Sequence, residues 1–183
     1  MAKAKADPVD AALERLVGEI SLNRGFAGLH EAAFLSLVWT WQRLEQAGRA
    51  FFPRFGITDV QFNVLMILDD YRRRSFRQHE LAEILVVNRA SAGSVLERME
   101  RNGWIERTPD PGDRRALRVS LAKAGKVKLE EVRAPYYRLL AQIFKAEDEA
   151  DLRGLIVFCD RLRSGLDRVA AQGAAAGARR GGK

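Results

Sequence analysis

Cysteine and histidine are scarce in this sequence. Cys159 is the only cysteine, which excludes an intramolecular disulfide framework, and its apolar neighbours predict a buried, unreactive thiol. The two histidines, His30 and His79, do not stand at a spacing typical of zinc ligands. We therefore expect neither a metal nor a cofactor.

Long apolar runs are also missing from the sequence. No run approaches the roughly 20 residues needed to cross a bilayer, and the lysines that follow Met1 do not lead into an apolar signal segment. We expect a cytoplasmic protein, associated with the nucleoid and without a membrane partner. The sequence has no nucleophile elbow, phosphate-binding loop or evident pairing of serine with histidine, so an enzyme is the least favoured function class.

Positive charge is plentiful and unevenly distributed. The formal net charge is +7, and residues 72–118 hold eleven cations, all arginine, against seven acidic residues, whereas residues 1–71 hold seven against nine. The planar guanidinium group suits phosphates and guanine edges. Residues 72–118 are therefore the suspected nucleic-acid surface. Within them, the run Arg72, Arg73 and Arg74 is equally compatible with phosphate contacts and with a solvated loop.

Helical periodicity dominates both halves of the chain. Apolar residues recur at steps of three and four over residues 9–22 and 29–52, and again from Lys123 to a last helix around residues 152–166. Pro135 should kink the helix that begins at Lys123. The sequence thus predicts long helices on either side of a central region.

Three shorter helices are predicted in that region, and two of them begin at residues with the spacing of a capping box. Thr58 and Gln61 have the spacing of a capping box, in which each side chain satisfies a backbone amide of the other residue. Ser75 and Gln78 repeat this spacing. We therefore expect one helix to begin at Thr58 and a second at Ser75.

The third central helix has an apolar face and a polar face. Asn88 is a suitable N-cap and Gly103 a suitable left-handed stop. The residues predicted to face inward are Ala92, Val95, Leu96 and Met99. The residues on the opposite face are Arg89, Ser91, Ser94 and Arg98. Two helices joined by a short turn, the second with an exposed polar face, are the geometry of a helix that enters the major groove of DNA, although a merely solvated helix has the same pattern.

A two-stranded hairpin is predicted after this helix. Residues 104–106 and 117–121 have extended patterns, and the turn between them contains Pro111 and Gly112. Arg114 and Arg115 at the tip could place a guanidinium in a narrow minor groove, or form an ordinary solvated ion pair with the neighbouring carboxylate. Spacing alone leaves both readings open.

The chain resembles the MarR-type winged helix regulators over about residues 29–168. The residues that carry the resemblance are Ile57 to Leu68, Glu80 to Ala82 with Leu85, Asn88 to Arg107, and, most specifically, Asp110 to Arg115 followed by Leu117, Val119, Leu121 and Gly125. The resemblance implies a mainly α fold with a small β-wing, in which a winged helix-turn-helix is flanked by N- and C-terminal dimerisation helices. It also implies a homodimer that binds double-stranded DNA.

The same resemblance implies roles for individual residues. Arg115 would be the minor-groove arginine and Asp113 its partner, and the recognition-helix residues Asn88, Arg89, Ser91, Ser94 and Arg98 would contact DNA together with Arg114 at the wing. Members of the family usually repress transcription and release DNA when a small aromatic or anionic effector binds. Candidate effector contacts are Trp39, Trp41 and His30, although core or dimer contacts are the favoured interpretation of the two tryptophans.

These features predict five segments along the chain. They are a flexible N-terminus (1–8), N-terminal dimerisation helices (9–56), a winged helix-turn-helix (57–121), C-terminal dimerisation helices (122–171) and a flexible basic tail (172–183). The predicted function is that of a sequence-specific transcription regulator, most simply a repressor with a pseudo-palindromic operator. The alternative is a non-regulatory protein that binds DNA through phosphates without regard to sequence.

Overall fold

The computed structural model describes residues 7–70, 75–85, 89–113 and 115–180. The chain forms two compact units that divide between Val132 and Arg133. Among the described residues, no helix is long and apolar enough to cross a membrane, and no group of three His, Cys, Asp or Glu side chains is placed to hold a metal ion.

The first unit begins with two helices. Helix α1 spans Pro8–Glu19 and starts where the Asp7 carboxylate accepts the backbone amide of Val9 at 2.8 Å. Helix α2 spans Leu29–Phe51 and continues into a short 3-10 helix over Phe52–Phe55. Both lie close to the predicted ranges.

Helix α3 spans Asp59–Asp70 and has the predicted capping box. The amide of Gln61 donates to Thr58 Oγ1 at 3.2 Å, and the amide of Thr58 donates to Gln61 Oε1 at 3.0 Å. Ile57 and Phe62, which flank the cap, are both buried. The start of α3 is thus fixed by local hydrogen bonds as well as by packing.

Helix α4 spans Gln78–Ile84, so the capping box predicted at Ser75 is wrong. Phe76 and Arg77 instead form a short strand, β1, and the helix starts directly after it. The carboxylate of Glu80 accepts the backbone amide of Arg77 at 2.8 Å. The hydroxyl of Ser75 accepts a hydrogen bond from Arg118 Nε at 2.9 Å, which occupies it away from the helix.

The recognition helix and the hairpin agree with their predictions. Helix α5 spans Arg89–Arg101, and Gly103 after it has φ +70°, the left-handed conformation that glycine adopts without strain. Strands β2 (Ile105–Pro109) and β3 (Leu117–Leu121) form the hairpin. The third strand, which the sequence did not predict, is β1, and the sheet order is β1-β3-β2 with both pairs antiparallel.

One hydrophobic core holds the helix-turn-helix and the sheet together. Its largest fully buried side chains in this region are Phe62, Val64, Leu65, Leu81, Leu96, Met99 and Val119. Ala92, Leu96 and Met99 are buried and Val95 is half-buried, as the predicted inward face of α5 requires. Each large aliphatic or aromatic side chain contributes about 1.5–3 kcal/mol by leaving water, so this core fixes the orientation of α5.

Two long helices complete the chain. Helix α6 spans Lys123–Ile143 and continues through Pro135, while a kink there stays a prediction. Helix α7 spans Glu149–Arg180 and therefore includes most of the segment predicted as a flexible tail, 172–183. The part of that segment within α7, residues 172–180, has four alanines, the residue with the highest helix propensity, against two glycines.

Candidate nucleic-acid interface

Helix α5 presents a polar face to solvent. The side chains of Ser94 and Arg98 are exposed on the side opposite the buried Leu96 and Met99. Arg89 and Ser91 lie in the first turn of the same helix, whereas Asn88 falls outside the described residues. The exposed face therefore carries the hydroxyl and guanidinium groups that hydrogen-bond to base edges and phosphates.

The tip of the wing carries Asp113 and Arg115, both exposed to solvent. The carboxylate of Asp113 accepts the backbone amide of Arg115 at 3.0 Å, so it fixes the main chain at Arg115. Arg114, predicted to contact DNA beside it, lies outside the described residues. Arg115 is thus held by its backbone while its side chain extends from the turn.

A buried carboxylate stands at the base of the wing. Asp110 is only 3% exposed, and its Oδ2 and Oδ1 accept hydrogen bonds from Arg77 Nε and Nη2, both at 3.0 Å. Arg118 Nη1 donates to Oδ2 at 2.8 Å. The backbone amides of Gly112 and Asp113 donate to Oδ1 at 2.8 and 3.1 Å. Five donors from β1, β3 and the turn therefore converge on this one carboxylate.

These contacts stabilise the ionised form of Asp110. The bidentate hydrogen bonds from Arg77, followed by the one from the Gly112 amide, hold the pKa of the carboxyl well below its ordinary value. In turn, the carboxylate raises the pKa of the Arg77 guanidinium. Asp110 is consequently charged throughout the physiological range, and it ties the wing turn to the strand that leads into α4.

A second ion pair connects the wing to the recognition helix. Arg107 on β2 donates to the Glu100 carboxylate on α5 through Nε at 2.8 Å and Nη2 at 2.5 Å. Only 15% of the Arg107 side chain is exposed. The hairpin is thereby anchored to α4 on one side, through Asp110, and to α5 on the other.

A cavity of about 320 Å³ opens between α4 and the wing tip. Its lining residues are Gln78, His79, Ala82, Arg115, Ala116 and Leu117. On the neighbouring helix α5, a Cβ added at Gly93 would lie 3.3 Å from Gln78 Nε2. Gly93 therefore leaves room for the Gln78 amide.

The sequence analysis did not predict that the side chains of Asp110, Arg77 and Arg118 form one cluster. Asp110 lies next to the predicted turn at Pro111 and Gly112. Arg77 lies between Ser75 and Gln78, the two residues of the predicted capping box. An aspartate directly before Pro111 often accepts amides two and three residues ahead, which was the available signal. Its pairing with Arg77, 33 residues earlier, depends on the unpredicted strand β1 and has no local signal.

The candidate effector residues are distributed along α2. Trp39 is half-buried, and its Nε1 donates to Glu19 Oε2 on α1 at 2.5 Å. Trp41 is 64% exposed, and His30 is exposed near the start of the helix. Trp39 therefore helps to hold α1 against α2, while the side chains of Trp41 and His30 face solvent.

Comparisons with known proteins agree with this architecture. The MarR family model matches residues 57–117. The transcriptional repressor MprA of Escherichia coli strain K12 is 30% identical over 118 residues, which cover 64% of this chain and 67% of MprA. The uncharacterized HTH-type transcriptional regulator YsmB of Bacillus subtilis strain 168 is 30% identical over 110 residues, which cover 58% of this chain and 74% of YsmB.

A solved structure shares the fold. Sco3205, a MarR family transcriptional regulator from Streptomyces coelicolor in complex with DNA, aligns with a TM-score of 0.71 at 22% identity. The alignment covers 79% of this chain and 92% of that chain. The prediction of a mainly α fold with a small β-wing is therefore confirmed, with β1 as an added strand.

Proposed function

The chain belongs to the MarR family of DNA-binding transcription regulators, and on that premise we propose that it is a homodimeric repressor of a pseudo-palindromic operator. It is not an enzyme. A small aromatic or anionic effector releases the protein from DNA. The observation that carries this proposal is that the winged helix-turn-helix holds two candidate DNA-contacting elements, the polar face of α5 and the wing tip at Arg115.

Each element has a distinct task in this proposal. Helix α5 enters the major groove, where Ser94 and Arg98 contact base edges and phosphates together with Arg89 and Ser91. Arg115 enters the adjacent minor groove, whose negative potential attracts a guanidinium. Asn88 and Arg114 are proposed as further contacts from their positions in the sequence. The Asp110 cluster holds the wing in place, so the second contact stays in register with the first.

The proposed dimer rests on the exposed apolar faces of the terminal helices. On α2 the exposed large apolar residues include Phe34, Leu37, Trp41 and Leu44. On α7 they include Leu155, Ile156, Phe158, Leu166 and Val169. Several exposed large apolar side chains along one helix support an interaction surface there. We propose that residues 9–56 and 122–171 dimerise by covering them, and sedimentation equilibrium should give twice the 20.5 kDa chain mass.

Footprinting tests the function directly. DNA from the region upstream of the chain's own gene is the probe, and the expected result is a discrete protected palindrome with half-sites about 34–36 Å apart. Protection that spreads evenly along the probe would instead support a protein that coats DNA through phosphates alone. Addition of aromatic carboxylates one at a time should reveal an effector as a loss of protection.

The effector acts in this proposal by shifting a conformational equilibrium. It must bind the conformation that is unable to bind DNA more tightly than the other, since equal affinity for both would move no population. Trp41 and His30 are proposed effector contacts because their side chains are exposed on α2. Trp39 is the weaker candidate, since its indole N–H is already bonded to Glu19.

Arg115→Ala should weaken operator binding about fivefold to tenfold. It removes a cation from the minor groove, so the slope of log K against log salt should fall by about one unit in magnitude. Fluorescence anisotropy across a salt series measures both quantities. Arg15→Ala is the matched control, because Arg15 is an exposed arginine on α1 outside the winged lobe. An unchanged slope in Arg115→Ala would rule out the minor-groove contact.

A further inference from the structure

The cavity between α4 and the wing tip is lined by side chains that donate hydrogen bonds. Gln78 and His79 contribute to it from α4 and Arg115 from the wing, whereas Ala82, Ala116 and Leu117 form its apolar part. Among the described residues that line the cavity, none is a carboxylate or an aromatic hydrocarbon ring. A site with these walls suits an anionic group better than a hydrophobic effector, which needs extensive apolar and aromatic contact.

The position of the cavity relates it to the path of DNA. If α5 lies in the major groove and Arg115 in the adjacent minor groove, one sugar-phosphate strand must pass between them. Gln78 lies 3.3 Å from the Cβ position of Gly93 on α5, and it shares the cavity with Arg115. On this placement, the strand that separates the two grooves would pass the cavity, whose volume is about 320 Å³.

We propose that this cavity is a phosphate-binding site, in which the Gln78 amide and the His79 ring donate hydrogen bonds to the phosphodiester between the two grooves. The proposal rests on the proposed placement of α5 and Arg115 in adjacent grooves. Contacts of this kind to a phosphate add affinity and fix the register of the winged helix-turn-helix without reading sequence. A Cβ at position 93 would lie 3.3 Å from Gln78 Nε2, so a larger residue there would shift the Gln78 amide by a few tenths of an ångström.

Gln78→Ala tests the phosphate-binding site, because the effects of this variant should differ from those of removing an arginine. We expect about a fivefold loss of affinity on the footprinted operator and the same loss on a random duplex of equal length, because phosphates are common to both. The salt slope should stay unchanged, since Gln78 carries no charge. Asn23→Ala is the control, because Asn23 has an exposed side-chain amide and does not line the cavity.

A chemical change in the DNA identifies the partner of Gln78. Methylphosphonate linkages, which lack the anionic oxygen, are placed one at a time along each strand of the operator. The wild-type protein should lose affinity at one linkage per half-site between the two grooves. Gln78→Ala should lose less affinity than wild type at that linkage, because one of the two hydrogen bonds to it is already absent. Additive losses at every linkage would overturn the proposal.

His79→Ala and Gly93→Ala extend the test. His79 is exposed, so its removal should leave the melting temperature unchanged while it weakens both DNA probes equally. Gly93→Ala should maintain or raise the melting temperature, because alanine favours helix, yet weaken DNA binding about twofold to threefold. That loss should disappear in the Gln78→Ala background. A loss that persists there would mean that Gly93 serves the approach of α5 to the groove instead.

The repressor proposal and the proposed phosphate-binding site would be contradicted by different results. If footprinting finds no operator, the repressor proposal fails, but the affinity of Gln78→Ala for the random duplex still tests the phosphate-binding site. If an operator is found and Gln78→Ala binds both probes as well as wild type does, only the proposal of a phosphate-binding site is overturned. A loss confined to the operator would also overturn it, because Gln78 would then read a base. Melting temperatures within about 2 °C of wild type show that each variant is folded.

Discussion

Asp110→Ala should weaken operator binding about tenfold to a hundredfold and lower the melting temperature by roughly 5–10 °C. The carboxylate that accepts five hydrogen bonds is removed, and Arg77 and Arg118 are left as two neighbouring cations without it. Removal of one partner from a buried ion pair is strongly destabilising. We reduce the expected loss because each arginine side chain is about one-third exposed.

The loss of DNA affinity should exceed that of Arg115→Ala. In Asp110→Ala the turn amides of Gly112 and Asp113 lose their acceptor, so the main chain that carries Arg115 is no longer fixed. Asp113 still accepts the Arg115 amide, but the turn as a whole is released from β1. Hydrogen exchange should accelerate more at Gly112, Asp113 and Arg115 than in α3, whose protection falls only with the global stability.

Asp69→Asn is the matched control for this variant. Asp69 is a largely buried carboxylate on α3 that accepts Lys126 Nζ of α6 at 2.5 Å, an ion pair outside the wing. Asp69→Asn should lower stability modestly and leave DNA affinity within about twofold of wild type. Equal effects of the two variants on DNA affinity would show that Asp110 acts through general stability, which would contradict a positioning role.

Acid should abolish the advantage of wild type over Asp110→Asn. Because the folded state lowers the pKa of Asp110, its stabilisation is fully present above the unfolded pKa near 3.8 and is lost as the pH falls through the lower folded pKa. The difference in unfolding free energy should thus be constant above about pH 5 and shrink below about pH 4. Glu31, whose pKa is lowered to about 2 by hydrogen bonds from Arg24 and the Ala27 amide, titrates in both proteins and cancels.

The local elements of this fold were predictable because their signals lie close together in the chain. The capping box at Thr58 and Gln61 needs only a three-residue spacing, and Gly103 ends α5 through its own backbone conformation. The inward face of α5 follows from helical period alone. In each case a single helix or turn contains all of the relevant information.

Long-range pairing explains what the sequence analysis missed. Strand β1 has only two residues, Phe76 and Arg77, and exists because β3 pairs with it. With β1 in place the helix start moves to Gln78, and Arg77 reaches Asp110. No periodicity or spacing in the sequence reveals contacts between residues 33 positions apart. The exposed face of α5 could therefore be predicted, whereas the cluster that positions the wing required the structure.

Gly125→Ala should destabilise the protein by at least about 3 kcal/mol, despite its position in a helix. Gly125 is buried in the first turns of α6, where its backbone passes directly over Trp104. An added Cβ would lie 2.0 Å from the Trp104 carbonyl oxygen and 2.8 Å from its carbonyl carbon. These are backbone atoms, so no side-chain rotation can relieve the overlap.

The contact at Trp104 also joins the helix to the wing. The Trp104 carbonyl accepts the backbone amide of Ala122 at 3.1 Å, directly before α6, and β2 begins at Ile105. To admit a methyl group, α6 would have to move away from the sheet and break this hydrogen bond. The higher helix propensity of alanine recovers only about 1 kcal/mol, so the overlap determines the sign.

Thermal and urea unfolding measure this effect, and Gly18→Ala provides the matched control. Gly18 is an exposed glycine in α1 with no atom within 4 Å of an added Cβ, so alanine there should leave stability unchanged or raise it slightly. Gly125→Ala should instead melt about 6–12 °C below wild type. A melting temperature equal to that of Gly18→Ala would mean that α6 can separate from Trp104 without cost. In that case the junction of α6 with the wing would be flexible, and it would no longer fix the wing relative to the helices.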